Sequence, residues 1–247
     1  MNIKKMEKKK NLSNPFSTGG GGPHFEAHVQ ASFVALMLTR GYTPCLPCWP
    51  IAEIKLQGKI SGFDTDDLIV IVENPDNKEQ RKLLGQVKHS ITFTQGSALF
   101  GEVMQAAWND FNNPMVCSKG KDVIALITGP LSATDEHNVQ WLLNQARHTK
   151  NADEFFRNVE QANFSPPKCN EKLQVIQHHL EIANGGKEVS RDELYNFLYH
   201  FHLLDYDLGN EFGVVLSLLH SHISQFQQRY PRLDVLIHNA ANFDLAM

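Results

Sequence analysis

No apolar run in this chain approaches the roughly 18 residues that a bilayer-spanning helix requires, and the longest strand-like run is only Leu68 to Val72. A soluble, cytoplasmic protein with no membrane partner is expected. Five lysines fall in the first ten residues, but no apolar stretch or small-residue cleavage site follows them, so this end does not read as a secretory signal. Cysteine is equally scarce. Four residues in 247 are too few for a disulfide framework. Cys45-Leu46-Pro47-Cys48 offers half a zinc site, while Cys117 and Cys169 are isolated and supply no second pair. Reduced thiols fit this usage better. Basic charge is also lacking beyond the lysine tail: residues 11–150 carry 11 basic and 13 acidic side chains, and residues 151–247 carry 7 and 13. A dedicated duplex binder usually has a basic footprint, so a single copy should hold DNA weakly. Weak single-copy binding suits a protein that acts when several copies combine their sites, and equally one that never touches nucleic acid.

The most informative segment present is Asp66-Asp67-Leu68-Ile69-Val70-Ile71-Val72, followed nineteen residues after Asp67 by Gln86-Val87-Lys88. Successive strand side chains alternate faces, so Gln86 and Lys88 point one way and Val87 the other. With strands near Ala52–Leu56, Leu68–Glu73 and Lys82–His89, an antiparallel meander would bring Asp67 to Gln86 and Lys88. An acid, an amide oxygen and an amine at one point form a layout for a divalent cation beside a phosphate, with the lysine serving an attacking water. Upstream, Phe25, Val29, Phe33, Leu36 and Met37 recur at helical spacing and end at Arg40-Gly41, where a glycine cap is expected. Glu26 lies on the rim of that stripe. It reads either as a first-turn acid or as a further metal ligand.

These segments, together with the Gly19–Gly22 run that leads into the first helix, resemble the PD-(D/E)XK superfamily. More narrowly, they are similar to the N-terminal double-stranded DNA endonuclease domain of bacterial anti-phage defence effectors. The likeness covers roughly Ser17 to Pro130. It implies an α/β restriction-endonuclease-like sandwich with a central mixed sheet, and a Mg²⁺-dependent hydrolase for which Mn²⁺ substitutes. The family's metal and lysine positions fall on Asp67, Gln86 and Lys88, and the acid of its first helix on Glu26. Gln86 departs from the superfamily's usual acid; an amide oxygen still ligates a hard cation but supplies no charge. The resemblance also implies double-stranded DNA as substrate, a homo-oligomer as the active form, and a fused or partner STAND ATPase or cyclic-oligonucleotide sensor. This chain would then be the N-terminal portion of a longer protein.

Along the rest of the chain, a helix is expected over Ser97–Phe111 and a buried strand over Asp122–Thr128. Beyond Leu131 the pattern is helical to the end, with a capping box at Ser190-Arg191-Asp192-Glu193. Three divisions follow: a disordered basic tail over 1–18, a nuclease core over 19–150, and an all-helical region over 151–247 that connects to another module. Segment 201–208 resembles the family's helical connector.

Several alternatives stay open. Asp66 replaces Asp67 as ligand if the register shifts by one residue, and Asp64 reads as a turn residue. The glycine run is either a linker or a set of backbone amides near a phosphate; without Lys-Ser/Thr after it, it is not a Walker A loop. His28 and Gln30 read as helix-surface residues, whereas Gln105 and Asp110 either face the site or serve packing. His178-His179, His200-x-His202 and His220-x-His222 read as surface or packing residues, because helical neighbours one or two apart share no face. From other classes of function, the rivals are an inactive nuclease-like assembly module and a nuclease for RNA or single strands.

Overall fold

The computed structural model describes residues 21–161, 164–207 and 213–229. The expected basic tail, Gly19 and Gly20 lie outside them. Helix α1 (Gly21–Thr39) precedes three strands, β1 (Ile51–Leu56), β2 (Leu68–Glu73) and β3 (Gln80–Lys88). Helix α2 (Ala98–Phe111) crosses over to β4 (Val123–Thr128). Four helices follow, α3 (Ala133–His148), α4 (Ala152–Glu160), α5 (Cys169–Ala183) and α6 (Arg191–His200), and then β5 (Phe201–Asp205) and α7 (Val214–Arg229).

The five strands form one mixed sheet in sequential order. β1, β2 and β3 make the antiparallel meander, whereas β3, β4 and β5 run parallel. The parallel pairs need crossovers; α2 supplies the first and α3–α6 the second. Both faces are covered, which is why β2 and β4 read as almost continuous apolar runs. On one face α1 sets Phe25, Val29 and Phe33 against Leu68, Val70, Val72, Leu83, Val87 and Ile127, with Val215 and Leu219 of α7 packed alongside. On the other, Ile69, Ile71, Leu84, Ile124 and Leu126 meet side chains of α2 through α6 in one continuous cluster. Each fully buried branched side chain contributes about 1.5–3 kcal/mol. This α/β sandwich therefore rests on two apolar layers with the sheet between them.

The structure corrects the sequence reading in three places. α1 starts at Gly21, so Gly21 and Gly22 belong to its first turn rather than to a loop. Its end is a Schellman motif in which Arg40, not Gly41, takes the left-handed conformation (φ 57°), and Gly41 N–H donates to Leu36 O at 2.7 Å. Gly41 serves close approach instead, since a Cβ there would lie 2.7 Å from Leu36 Cδ2. The third correction is larger. The helix that opens at the Ser190 capping box stops at His200, and the expected all-helical region over 151–247 is not helical throughout, because Phe201–Asp205 pairs with β4. Phe201 and Leu203 alternate onto the buried face, and pairing with a ready strand decides the conformation of so short a segment. Gln140 and Arg147 of α3 donate to Leu203 O and Phe201 O, covering the free edge of β5. The capping box at Ser190 forms as read.

Candidate active site

The turn before β2 delivers the central carboxylate. Residues 58–61 form a 3₁₀ turn bounded by left-handed Gln57 and Gly62. Gly58 N–H donates to Asp66 O at 2.6 Å, closing the loop, and Phe63 is buried in the core beneath it. Asp110 fixes the loop from α2. Its carboxylate, 2% exposed, accepts Asp64 N–H at 3.0 Å and Thr65 N–H at 2.7 Å. Burial, the largest influence, raises the Asp110 pKa, and the two N–H bonds partly offset it.

The β2–β3 register pairs Leu68 with Gly85, so Asp67 stands beside Gln86. Gln86 and Lys88 share a face by alternation, and Val87 turns into the α1 layer. Asp67 Oδ2 accepts three donors: Gln86 Nε2 at 2.5 Å, Val87 N–H at 2.7 Å and Lys88 Nζ at 3.3 Å. Lys88 remains 26% exposed and Asp67 15% exposed, so the pair opens to solvent without lying in it.

Glu26 reaches this end of the sheet through Gln30, one helical turn later. Gln30 Nε2 donates to Glu26 Oε1 at 2.9 Å and to Asp67 O at 2.9 Å. Burial raises the Glu26 pKa, the Asp67 charge raises it further, and Lys88 opposes both. Asp66 adds the weakest of these influences. Asp67, rather than Asp66, therefore carries the contacts to Gln86 and Lys88. The structure turns Gln30 toward the site rather than leaving it on the helix surface as the sequence suggests; its spacing of four from Glu26 is the signal that points there. His28 is exposed. Asp64 serves the turn, accepting from Asn109 at 2.8 Å. Gln105 turns toward α5, donating to Ala183 O at 3.2 Å.

The donor set suits a hard divalent cation. Among the described residues no three His, Cys, Asp or Glu side chains gather closely enough to hold an ion; a cation at this end of the sheet would have to draw on Asp67, Glu26 and the Gln86 amide oxygen. The three donors to Asp67 use Oδ2 and leave Oδ1. Mutual repulsion between Glu26 and Asp67 is a penalty that a cation would relieve. A stability test follows. The folded-state pKa of Glu26 lies above its ordinary 4.5, so the folded protein binds more protons in that window. Stability falls as pH rises through it, and the penalty is fully present above it. Glu26→Gln is expected to raise the thermal midpoint at neutral pH in EDTA and to shrink the stabilisation given by Mg²⁺. A lower midpoint in EDTA would contradict this electrostatic reading.

The segment after Lys88 is also anchored. Buried Lys172 of α5 donates to Phe93 O at 2.9 Å and pairs with Asp135 at 2.6 Å, while His179 Nε2 lies 3.0 Å from Thr94 O.

No family model matches the chain, and no curated protein matches it in sequence. Among solved structures it is similar to the Acinetobacter baumannii Cap4 SAVED/CARF-domain containing receptor, determined with the cyclic trinucleotide 3'3'3'-cAAA. The identity is 12% and the TM-score 0.40, over 88% of this chain and 39% of that one. The chain thus spans well under half of that receptor's length. Among the described residues no helix is long and apolar enough to cross a membrane.

Proposed function

We propose that this chain is a metal-dependent endonuclease that hydrolyses double-stranded DNA with little sequence preference. The observation that carries the reading is the convergence of Asp67, Gln86 and Lys88 at one end of the sheet, with Asp67 Oδ2 bonded to both of the others. Asp67 and the Gln86 oxygen would hold Mg²⁺ or Mn²⁺, with Glu26 supporting it. Bound there, a divalent cation supplies positive charge to a phosphoryl oxygen and lowers the pKa of water. Lys88 orients the water that adds to phosphorus and offsets charge on the phosphate as the P–O bond to the leaving sugar oxygen breaks. Gln30 and Asp110 position the carboxylates. No covalent intermediate is required.

The weak basic footprint beyond the lysine tail is compatible with activation by self-association, in which several copies share one duplex. The family resemblance supports a role as an anti-phage effector coupled to a sensor or STAND module. Supercoiled-plasmid cleavage tests the reading, with Mg²⁺, Mn²⁺ or EDTA across a protein concentration series and with RNA and single-stranded DNA in parallel. Metal-dependent nicking that rises steeply with concentration is expected. Cleavage restricted to RNA or single strands would reassign the substrate, and silence even on an oligomeric scaffold would favour an assembly module.

A further inference from the structure

A second polar cluster lies at the opposite end of the sheet. β3 runs from Arg81 near its start to Lys88 at its end, seven residues or about 23 Å along the strand. Around Arg81, a cavity of about 210 Å³ is lined by Cys45, Lys121, Asp122, Arg147, His200 and His202, among others. These side chains come from the loop before β1, the starts of β3, β4 and β5, and the ends of α3 and α6.

Their charges do not cancel. Asp122 is 2% exposed and committed to Lys82, through the Lys82 backbone N–H and an ion pair of 3.2 Å. Glu79 is the carboxylate paired with both Arg81, at 3.4 Å, and Lys121, at 3.1 Å. Arg147 is half-buried; its guanidinium donates to two neutral oxygens, Phe201 O and Asn144 Oδ1, and pairs with no carboxylate among the described residues. With Lys82 and Glu79, which pair with lining residues without lining the cavity themselves, four cations stand against two carboxylates. Arg81 adds an independent sign, because its Nε is buried with no hydrogen-bond partner while its guanidinium lies over Trp49. Unpaired buried cations and donors are costly.

We infer that this cavity is a binding site for a small phosphorylated ligand, with Arg147, Arg81 and Lys121 as its anion-gripping residues. The excess of two positive charges matches a phosphate monoester near neutral pH, which carries about −1.5 to −2, and guanidinium forks suit phosphate geometry. The cavity admits a phosphoryl group but not a duplex. Burial first, and neighbouring cations second, disfavour charge on the lining histidines. His200 accepts Gly120 N–H through Nε2 at 2.6 Å, which fixes it as the neutral tautomer with Nδ1–H toward Asn196 O. The His202 pKa is pushed down to about 3 by burial first, then by Arg147 and His200. This inference does not rest on the nuclease reading.

The probes are inorganic phosphate and AMP, followed by ³¹P line broadening and thermal unfolding of the whole chain. Measurements in EDTA on the Lys88→Ala background keep the candidate active site from contributing. Broadening and a raised unfolding midpoint at millimolar ligand are expected, as mass action requires of a ligand bound to the folded state. Lys121→Ala, which removes a half-exposed side chain, should weaken binding several-fold, and Arg147→Gln should abolish it. Response to AMP alone would identify a nucleotide as the source, and response to both would identify the phosphoryl group. Absence of broadening with either probe, or equal binding by the parent, Lys121→Ala and Arg147→Gln, would overturn the site. Because Arg147 also bonds β5, the Lys121 variant keeps the test valid should Arg147→Gln fail to fold.

Discussion

Asp67→Asn and Lys88→Ala are each expected to lower metal-dependent plasmid cleavage by roughly 10²- to 10⁴-fold, the range found when a positioned charge or proton-transfer group is removed. The two losses should differ in character. Asp67→Asn removes the charge proposed to hold the metal but keeps an acceptor for Val87 N–H, so the fold should survive while the Mg²⁺ requirement rises. Lys88→Ala removes a partly exposed amine and should leave metal binding nearly intact while hydrolysis falls. Double replacement should cost little more than the worse single one, because residues acting as a unit are not additive. Gln86→Glu supplies a further test, with cleavage expected to persist at lower Mg²⁺ because the third ligand gains charge. Titration calorimetry with Mn²⁺, set beside cleavage rates, separates binding from chemistry. Equal cleavage by parent and Lys88→Ala would remove the lysine from the mechanism.

Asp110→Ala is expected to destabilise the fold by about 2 kcal/mol. Two N–H groups, of Asp64 and Thr65, would lose their acceptor, and each orphaned donor costs on the order of 1–3 kcal/mol. Relief of a buried carboxylate offsets part of that cost. The Asp110 pKa is raised by burial, so this group's own titration lowers stability as pH rises through its folded-state value. Urea denaturation at neutral pH measures the difference. A loss of stability together with reduced cleavage would show that the loop presenting Asp67 depends on α2. A change below about 0.5 kcal/mol, the scale of ordinary surface substitutions, would contradict this role.

The central meander was legible because period-two alternation is local. Gln86-Val87-Lys88 specifies its faces by itself, Leu68–Val72 declares a strand covered on both sides, and an antiparallel pair of suitable length leaves few registers for Asp67. α1 was legible from its apolar spacing, although its start was not, since glycines carry no signal for the first turn of a helix. The polar supports escaped because they are tertiary. Asp110 meets Thr65 across 45 residues, and Lys172 meets Phe93 across 79; no spacing rule connects such pairs. β5 was missed for a related reason, since Phe201-His202-Leu203-Leu204 is strand only because β4 offers a partner edge. The cationic cavity gathers residues 45, 81, 121, 147 and 202, and its charge excess exists only once the sheet is assembled. Net charge by segment, which is negative from residue 11 onward, gave no hint of it.

The most direct test of the proposed activity is supercoiled-plasmid cleavage by the parent chain and Lys88→Ala, both fused to the same oligomeric scaffold, in Mg²⁺ and in EDTA. Nicking by the clustered parent is expected in Mg²⁺, with none in EDTA and at least a roughly hundredfold loss in Lys88→Ala. Undiminished cleavage by the lysine variant, or silence from the clustered parent, would contradict the proposed activity.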